Sequence, residues 1–304
     1  MDVSIIIVNY NTKKLLADCL RSIYEQTKDI AFEVIVSDNG STDGSVEMVR
    51  EAFPQVILIE NKANLGFGAA NNRALAVAKG AYLFYLNSDT VLLNNAVKQF
   101  YDWWQTHDDG TLGALGANLL NANGEVIHSY GSFLCYKTEL KNTLRALRAT
   151  AVYTVLSVFS KRFPPPDVQD DRTAFFAGEV DYITGADLFV KNDSAARFDE
   201  RFFMYCEEAD LQLQLAQKGK TRLIIDGPKI IHLSGGGNKR SVDKVRSLAT
   251  FSSIHFNLSR VQYFKKNGIS APKVALLKYL TFMQWLNPLI FKTTKRFIPQ
   301  LLRI

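Results

Sequence analysis

Cysteine is scarce in this sequence of 304 residues, and its three positions lie far apart. Cys19, Cys135 and Cys206 form neither a Cys-x-x-Cys pair nor an even set. Disulfide frameworks and structural zinc sites need such sets, so neither is expected. Asp2, rather than a basic region, precedes the first apolar run, which is untypical of a signal peptide. We therefore expect a cytoplasmic, reducing location.

Glycine-rich phosphate-binding motifs are also missing. The first apolar run, Val3–Val8, leads into Asn9-Tyr10-Asn11-Thr12-Lys13, which has no glycine where a pyrophosphate would approach the backbone. No GxxxxGK[ST] loop occurs anywhere. These absences argue against a nicotinamide, flavin or P-loop enzyme.

Acidic residues are absent after Asp243, whereas residues 244–304 contain eleven Lys or Arg. This basic segment includes an apolar stretch, Val274–Phe291, which Lys278 and Asn287-Pro288 interrupt. A transmembrane helix is disfavoured by these interruptions, and an amphipathic segment on an anionic membrane surface fits better. The alternative is a helix packed on the protein's own body or on a second subunit. No nucleic-acid-binding motif accompanies the basic residues, so nucleic acid is not an expected partner.

The first 120 residues alternate short apolar runs with segments of helical periodicity. The runs predicted to be buried strands are Val3–Val8, Phe32–Ser37, Val56–Ile59 and Tyr82–Leu86. The segments predicted to be helices are Lys14–Gln26, Ser45–Phe53 and Gly68–Lys79, with Gly80 as the C-cap of the last. This alternation predicts a doubly wound, mostly parallel α/β sheet that binds ligands beyond the carboxyl ends of its strands.

The rest of the chain is less regular. We expect a partly helical insertion at residues 136–172 and strand character around Gly185. The further predictions are strands at Val180–Val190 and Thr221–Ile225 and helices at Glu207–Lys218 and Lys244–Asn267.

Polar residues follow two of the predicted strands. Asn87-Ser88-Asp89 comes directly after Tyr82–Leu86, where a carboxylate could hold Mg²⁺ or Mn²⁺, although the same residues could simply turn the chain. Asp38 ends the second strand and could accept the imide N–H of a uracil or thymine ring. Its alternative role is in a turn and N-cap.

Two further clusters could carry chemistry. Glu207, Glu208 and Asp210 lie within four residues at the start of a predicted helix, where acids serve either as a general base or only as partners of the helix dipole. His232 ends an apolar run and precedes three glycines, Gly235-Gly236-Gly237, which suggest a loop close to a phosphate or metal. A lone structural histidine is the alternative.

Taken together, these segments resemble family 2 inverting glycosyltransferases, most strongly their rhamnosyltransferase-like branch, over roughly residues 3–265. The similarity rests on the following runs: Val3–Asn11, Ser37–Gly44, Asn64-Leu65-Gly66-Phe67-Gly68, Asn87-Ser88-Asp89-Thr90, Phe198–Tyr205 and His232 with its glycines. Two positions depart from the family pattern. Asn87 replaces the first Asp of the metal motif, and Glu207-Glu208 replaces a Glu-Asp pair.

The resemblance implies a GT-A-like nucleotide-diphospho-sugar transferase fold with a C-terminal helical extension. It implies a nucleotide-sugar-binding half at residues 1–120 and an acceptor-binding, catalytic half at residues 121–240. Residues 241–304 would form C-terminal helices associated with a membrane.

The resemblance also implies roles for individual residues. Asp89 and His232 would hold Mg²⁺ or Mn²⁺, and Glu208 would be the base, with Glu207 and Asp210 as alternatives. The implied nucleotide-sugar-binding residues are Val8, Asn9, Tyr10, Asp38, Asn64, Asn71, Asn72, Ser88 and Gly185.

The implied reaction is inverting transfer of a sugar, with rhamnose from dTDP-rhamnose as the first choice. The acceptor would be a lipid-linked saccharide in bacterial cell-surface polysaccharide synthesis, at the inner face of the cell membrane. Three alternatives stay open: a transferase that uses another UDP- or dTDP-sugar, an inactive sugar-nucleotide-binding protein, and a nucleotidyltransferase on a related sheet. The last would need a glycine- and arginine-rich loop after the first strand, which the sequence lacks.

Overall fold

The computed structural model describes residues 1–159, 173–233 and 246–304, which form two compact units. The first unit contains the described residues up to 133, together with 173–203 and 207–233. The second contains residues 134–159, 204–206 and 246–304. The strands are β1 (Val3–Asn9), β2 (Phe32–Asp38), β3 (Ile57–Glu60), β4 (Tyr82–Asn87), β5 (Thr90–Leu92), β6 (Leu112–Leu120), β7 (Tyr130–Gly131), β8 (Gly178–Glu179), β9 (Tyr182–Ile183), β10 (Asp187–Lys191) and β11 (Thr221–His232). The helices are α1 (Lys13–Gln26), α2 (Ser45–Ala52), α3 (Phe67–Leu75), α4 (Ala96–His107), α5 (Tyr136–Phe159), α6 (Glu207–Gln217), α7 (Phe251–Lys266), α8 (Ala271–Trp285), α9 (Phe291–Thr294) and α10 (Ile298–Arg303).

A mixed, mostly parallel sheet forms the centre of the first unit, in the order β3-β2-β1-β4-β10-β6-β11-β5. β1 runs parallel to β2 and β4, and β6 runs parallel to β11. β10 is antiparallel to both β4 and β6, and β5 is antiparallel to β11. β7 and β9 pair separately. The predicted fold class, a doubly wound sheet with mainly parallel strands, is confirmed.

The strands of this sheet bury both faces, which explains their continuous apolar sequences. In β1, Ile5 and Ile7 belong to one core cluster, whereas Ile6 belongs to the other. The first cluster includes residues of α1, α2 and α4, and the second includes residues of α3 and α6. Because successive side chains of a strand point to opposite faces, β1 joins the two cores.

Helices form the second unit. α8 contacts α5, α7 and α10, and its residues Leu277 and Trp285 are fully buried. A buried ion pair joins α5 to α7, because Arg260 Nη1 lies 2.9 Å from Glu139 Oε2. The predicted C-terminal helical extension is therefore present. In the part of the chain that the structure describes, no helix is both long and apolar enough to cross a bilayer.

Several predicted boundaries were wrong. The third helix ends at Leu75 rather than Lys79, because Glu33 Oε1 binds the amide of Lys79 and Ser4 Oγ binds the amide of Gly80. Gly80 is therefore no C-cap. A Cβ there would lie 2.3 Å from the backbone nitrogen of Ser4, so glycine is needed for a close approach to β1.

The later elements also differ from the prediction. The segment Val180–Val190 forms two short strands, β9 and β10, instead of one. β11 continues past Ile225 to His232, because its pairing with β6 shifts register between Ile225 and Ile230 and so accommodates the turn-like residues there. α7 begins at Phe251, where the Thr250 side chain caps the amide of Ser253. The predicted insertion is helical up to Phe159, and residues 160–172 lie outside the described residues.

Candidate active site

Parallel pairing brings the ends of β1, β2 and β4 to one edge of the sheet. Asn9 is in register with Asp38, and Val8 is in register with Asn87. Polar residues that are far apart in the sequence thus lie side by side at the carboxyl edge, where ligands bind in sheets of this type.

A hydrogen-bond network fixes the loops at this edge. The Asp38 carboxylate accepts hydrogen bonds from Asn9 Nδ2 at 2.8 Å, from the Ser41 amide at 2.8 Å and from the Gly40 amide at 3.0 Å. Asn9 Oδ1 accepts a hydrogen bond from Thr12 Oγ1 at 2.6 Å, and this hydroxyl lies 3.0 Å from Ser88 Oγ. The predicted residues Asn9, Asp38 and Ser88 therefore share one network.

Asp38 is buried, and its carboxylate organises the turn that follows β2. This geometry agrees with the turn interpretation of the sequence. The additional role as an acceptor for a nucleobase stays a prediction. Tyr10 differs, because about half of its side chain is exposed directly after β1, where its ring is available to a ligand. Val8 is half-buried.

The loop after β3 lies against the segment that precedes α6. The amide of Phe67 donates to the carbonyl of Phe203 at 2.9 Å, and Asn39 Nδ2 donates to Asn64 Oδ1 at 3.3 Å. A Cβ on Gly66, whose φ is +87°, would lie only 2.0 Å from the Phe203 carbonyl oxygen. The predicted residue Asn64 therefore lies in a loop that contacts the segment just before α6.

Three other predicted binding residues have packing roles in the structure. Asn71 donates to the carbonyl of Phe67, and Asn72 exchanges two hydrogen bonds with the backbone of Phe198. Both asparagines are buried. A Cβ on Gly185 would lie 3.0 Å from the Phe67 ring, so this glycine admits the aromatic side chain. Their contact with a donor stays a prediction.

The predicted metal ligands come together at the end of β11. Because β11 pairs with β5, His232 lies beside Thr90, and its Nε2 lies 3.2 Å from Asp89 Oδ1. Asn87 Nδ2 lies 3.4 Å from the same nitrogen. Both Asp89 and His232 keep a small exposed fraction. The glycines after His232 lie outside the described residues.

This pair of side chains fits a divalent cation. Two ligand atoms bound side by side to an octahedral ion, each about 2.1 Å from it, lie about 3 Å apart. A carboxylate oxygen and an imidazole nitrogen are both suitable ligands for Mn²⁺, and the carboxylate also suits Mg²⁺. Within residues 1–159, 173–233 and 246–304, no group of three or more His, Cys, Asp and Glu side chains is placed to hold a metal.

Asp187 is a nearby acid that the sequence prediction missed. Its Oδ2 accepts a hydrogen bond from the Ala117 amide at 2.7 Å, whereas its buried Oδ1 has no hydrogen-bond partner. Burial raises the pKa of Asp187 to about 7, although the Ala117 amide and the charge of His232 act in the opposite direction. The signal in the sequence was an acid inside the apolar run Ala186–Val190.

The acidic cluster occupies the first turn of α6. Gln212 anchors this helix, because its side-chain amide exchanges two 2.8 Å hydrogen bonds with the backbone of Ile183. Glu207 and Asp210 are buried, and Gln214 Nε2 donates to Asp210 Oδ2 at 3.0 Å. A Cβ on Gly68 would lie 3.7 Å from the Glu207 Cβ, which places the start of α3 next to the start of α6.

The surroundings of the Glu208 carboxylate suit a proton acceptor. Its side chain is half-buried, and its Oε2 is enclosed without a hydrogen-bond partner. Burial raises the pKa of Glu208 above its usual value, and a hydrogen bond from its own backbone amide only partly opposes this effect. A carboxylate with a raised pKa is a stronger base, as proton abstraction from a hydroxyl requires.

Residues 4–154 match the family model described as Glycosyl transferase family 2. This match confirms the predicted resemblance to family 2 glycosyltransferases. The relatives of the chain include the N-acetylglucosaminyl-diphospho-decaprenol L-rhamnosyltransferase of Mycobacterium tuberculosis, which is 27% identical over 216 residues, or 66% of each protein. The poly(ribitol-phosphate) beta-glucosyltransferase of Bacillus spizizenii is 34% identical over 121 residues, which are 38% of this chain and 19% of that protein. The chain thus spans less than two thirds of the length of these relatives.

Solved structures of similar proteins agree with the family's GT-A-like fold. A mannosyltransferase of Pyrobaculum calidifontis in complex with GDP-Man and Mn²⁺ superposes with a TM-score of 0.54 and 18% identity, covering 99% of this chain and 73% of the other. Residues 1–349 of S. aureus TarS superpose with a TM-score of 0.53 and 17% identity, covering 99% and 89%. The family 2 resemblance and the GT-A-like fold are both confirmed.

Proposed function

We propose that this protein is an inverting glycosyltransferase that moves a sugar from a nucleoside diphosphate donor to a saccharide hydroxyl. The observation that carries the proposal is the enclosed, unpartnered Oε2 of Glu208 on the first turn of α6. A transferase needs a carboxylate of this kind as its base, with an enclosed oxygen and a raised pKa, whereas binding of a sugar nucleotide alone does not require one.

The donor would occupy the carboxyl edge of β1, β2 and β4. The exposed Tyr10 ring would cover the nucleobase, and Asp38 and Asn9 would shape the pocket through their shared network. Asn64, on the loop after β3, would face the ribose and diphosphate. The first choice of donor is dTDP-rhamnose, because a rhamnosyltransferase is among the relatives that cover most of this chain.

Asp89 and His232 would hold Mg²⁺ or Mn²⁺ beside the diphosphate. When bound, such an ion supplies positive charge that stabilises the departing diphosphate. The presence of Mn²⁺ in the similar mannosyltransferase structure supports a divalent cation. Asn87, in place of an acid, leaves Asp89 as the carboxylate ligand of this loop.

Glu208 would remove the proton from the acceptor hydroxyl as it attacks the sugar. One base and a direct displacement invert the anomeric centre, and no second carboxylate is needed as a nucleophile. A base acts only when it is deprotonated, so activity should be lost as the pH is lowered. Because burial raises the pKa of Glu208, this loss should begin at a higher pH than it would for an exposed glutamate.

The acceptor would be a lipid-linked saccharide in the synthesis of a bacterial cell-surface polysaccharide. The relatives include a transferase named for a diphospho-decaprenol acceptor and one named for poly(ribitol-phosphate), which supports this class. Such an acceptor would place the enzyme on the cytoplasmic face of the membrane, where exposed residues within 272–304 would contact anionic lipid.

A panel of donors tests the proposal. The protein, with Mn²⁺, is incubated with a saccharide linked to a short polyprenyl diphosphate and with dTDP- or UDP-sugars in turn, and the acceptor is analysed by mass spectrometry. The expected result is a mass increase of one deoxyhexose with dTDP-rhamnose. A mass increase with a UDP-hexose instead would show that the donor is not dTDP-rhamnose, but it would still support the proposed transferase activity. Donor binding without transfer for any pair would favour the inactive sugar-nucleotide-binding protein.

A further inference from the structure

The solvent-facing side of α8 is apolar. Leu276, Tyr279, Met283 and Leu286, the last of which caps the helix, are 45%, 57%, 38% and 39% exposed. Their spacing of three and four residues places them on one stripe of the helix. We refer to these four residues as the α8 outer stripe.

The opposite side of α8 is already buried within the second unit. Val274, Leu277, Leu280 and Trp285 are nine-tenths or more covered. The helix is therefore apolar on both sides, although in the part of the chain that the structure describes the α8 outer stripe stays about half exposed. An exposed stripe of large apolar side chains is typical of a surface that meets a partner or a membrane.

Exposed basic residues flank α8 along the chain. Lys273 is exposed at the start of α8, and Lys292, Lys295 and Arg296 are exposed just after it. The sequence has no acidic residue beyond Asp243 to neutralise them. Large apolar side chains bordered by Lys and Arg suit the headgroup layer of an anionic bilayer.

We propose that the α8 outer stripe enters the headgroup layer of an anionic membrane, while the four neighbouring cations contact lipid phosphates. This inference deepens the proposed function, on which it rests for its lipid-linked acceptor, by naming the surface that contacts the membrane. A second copy of the chain is the less suitable occupant. A two-fold interface would bring the same cations of both copies together, and like charges repel.

Deletion of the C-terminal segment is a poor test, because Leu277, Trp285 and Leu301 belong to the core of the second unit. Surface substitutions avoid this problem. We would measure cosedimentation of the full chain with phosphatidylcholine vesicles and with vesicles that contain phosphatidylglycerol. The wild type should bind the anionic vesicles more tightly, and higher salt should weaken this binding.

Two kinds of variant separate the contributions. Lys292→Gln and Lys295→Gln should each weaken binding to anionic vesicles about fivefold, the value for a basic residue near such a surface. Leu276→Ser should weaken binding at least about tenfold through lost apolar contact. Leu93→Ser is the matched control, because Leu93 is also a leucine that is 45% exposed but lies in the first unit.

A fluorescent reporter tests insertion itself. Tyr279→Trp should show blue-shifted emission with anionic vesicles and quenching by brominated lipids, measured as a difference from the wild type. Leu93→Trp should show neither change.

Three outcomes would overturn the proposal: no binding to either kind of vesicle, equal losses for Leu276→Ser and Leu93→Ser, or a change in oligomeric state for Leu276→Ser without a change in vesicle binding. The last would assign the stripe to a second copy. Transfer to a soluble saccharide acceptor, measured in parallel, reports on the proposed function independently of the membrane.

Discussion

Replacement of Glu208 by Gln removes the proposed base with little change in side-chain size. General base catalysis contributes about 10²- to 10⁴-fold to a rate, so kcat should fall by at least about 100-fold, or about 2.7 kcal/mol in activation free energy. The Kd of the donor should stay within about twofold, because the base acts on the acceptor hydroxyl. Turnover with a saccharide acceptor and donor binding by calorimetry measure the two quantities.

The same variant should change how stability depends on pH. Burial raises the pKa of Glu208 in the folded state, so the folded state binds a proton more tightly than the unfolded chain does. Its contribution to stability is then fully present below the unfolded pKa and is lost as pH rises through the folded pKa. Urea unfolding at several pH values should show Glu208→Gln gaining stability relative to the wild type as pH rises.

Two neighbouring acids serve as controls for the assignment. Glu207→Gln and Asp210→Asn change buried acids on the same helical turn and should keep turnover within about tenfold of the wild type. If either variant is inactive while Glu208→Gln is active and folded, the base has been assigned to the wrong residue. An unchanged turnover in all three variants would show that none of the acids on the first turn of α6 is the base.

Three further changes test the rest of the site. Asp89→Ala should abolish transfer and Mn²⁺-dependent binding of the nucleoside diphosphate without unfolding the protein, and full activity of the wild type after chelation would contradict the metal assignment. Asp187→Asn should gain about 2–3 kcal/mol of unfolding free energy relative to the wild type between pH 5 and pH 7.5. The reason is that the raised pKa of about 7 makes ionisation of the wild-type acid increasingly unfavourable to the folded state as the pH rises. If the stabilities of both proteins depend on pH in the same way, Asp187 titrates normally. Gly66→Ala should lower the free energy of unfolding in urea by about 3 kcal/mol or more, because its Cβ would meet the Phe203 carbonyl. Gly110→Ala, at a similar φ in open space, should lower it by only about 1 kcal/mol. Equal losses of stability would mean that the contact with Phe203 is unimportant.

The sequence was most informative where structure is local. Buried parallel strands require continuous apolar runs, so β1, β2 and β4 were placed within a residue of their observed ends. The polar residues at their ends mark the carboxyl edge of the sheet for the same reason, because each stands out from an apolar strand. His232 was recognisable as the polar end of an apolar run, and the pairing of β11 with β5 brings it to Asp89.

Non-local pairing could not be derived in this way. β10 enters between β4 and β6 in the antiparallel direction, and no short-range pattern specifies that position. β11 runs through Asp226-Gly227-Pro228, which is typical of a turn, because its pairing with β6 resumes at Ile230 beyond an irregularity. Asp187 was overlooked because its burial depends on that insertion of β10 between two other strands. The packing roles of Asn71 and Asn72 likewise depend on distant partners, Phe198 above all.

We propose that this protein transfers a sugar by a single displacement. The most direct test is the anomeric configuration of the product, determined by NMR after transfer from dTDP-β-rhamnose to a saccharide acceptor in the presence of Mn²⁺. A single displacement should give an α-rhamnoside, the configuration opposite to that of the donor. A β-linked product would contradict the single displacement, and complete absence of transfer from every dTDP- and UDP-sugar would contradict the proposed activity.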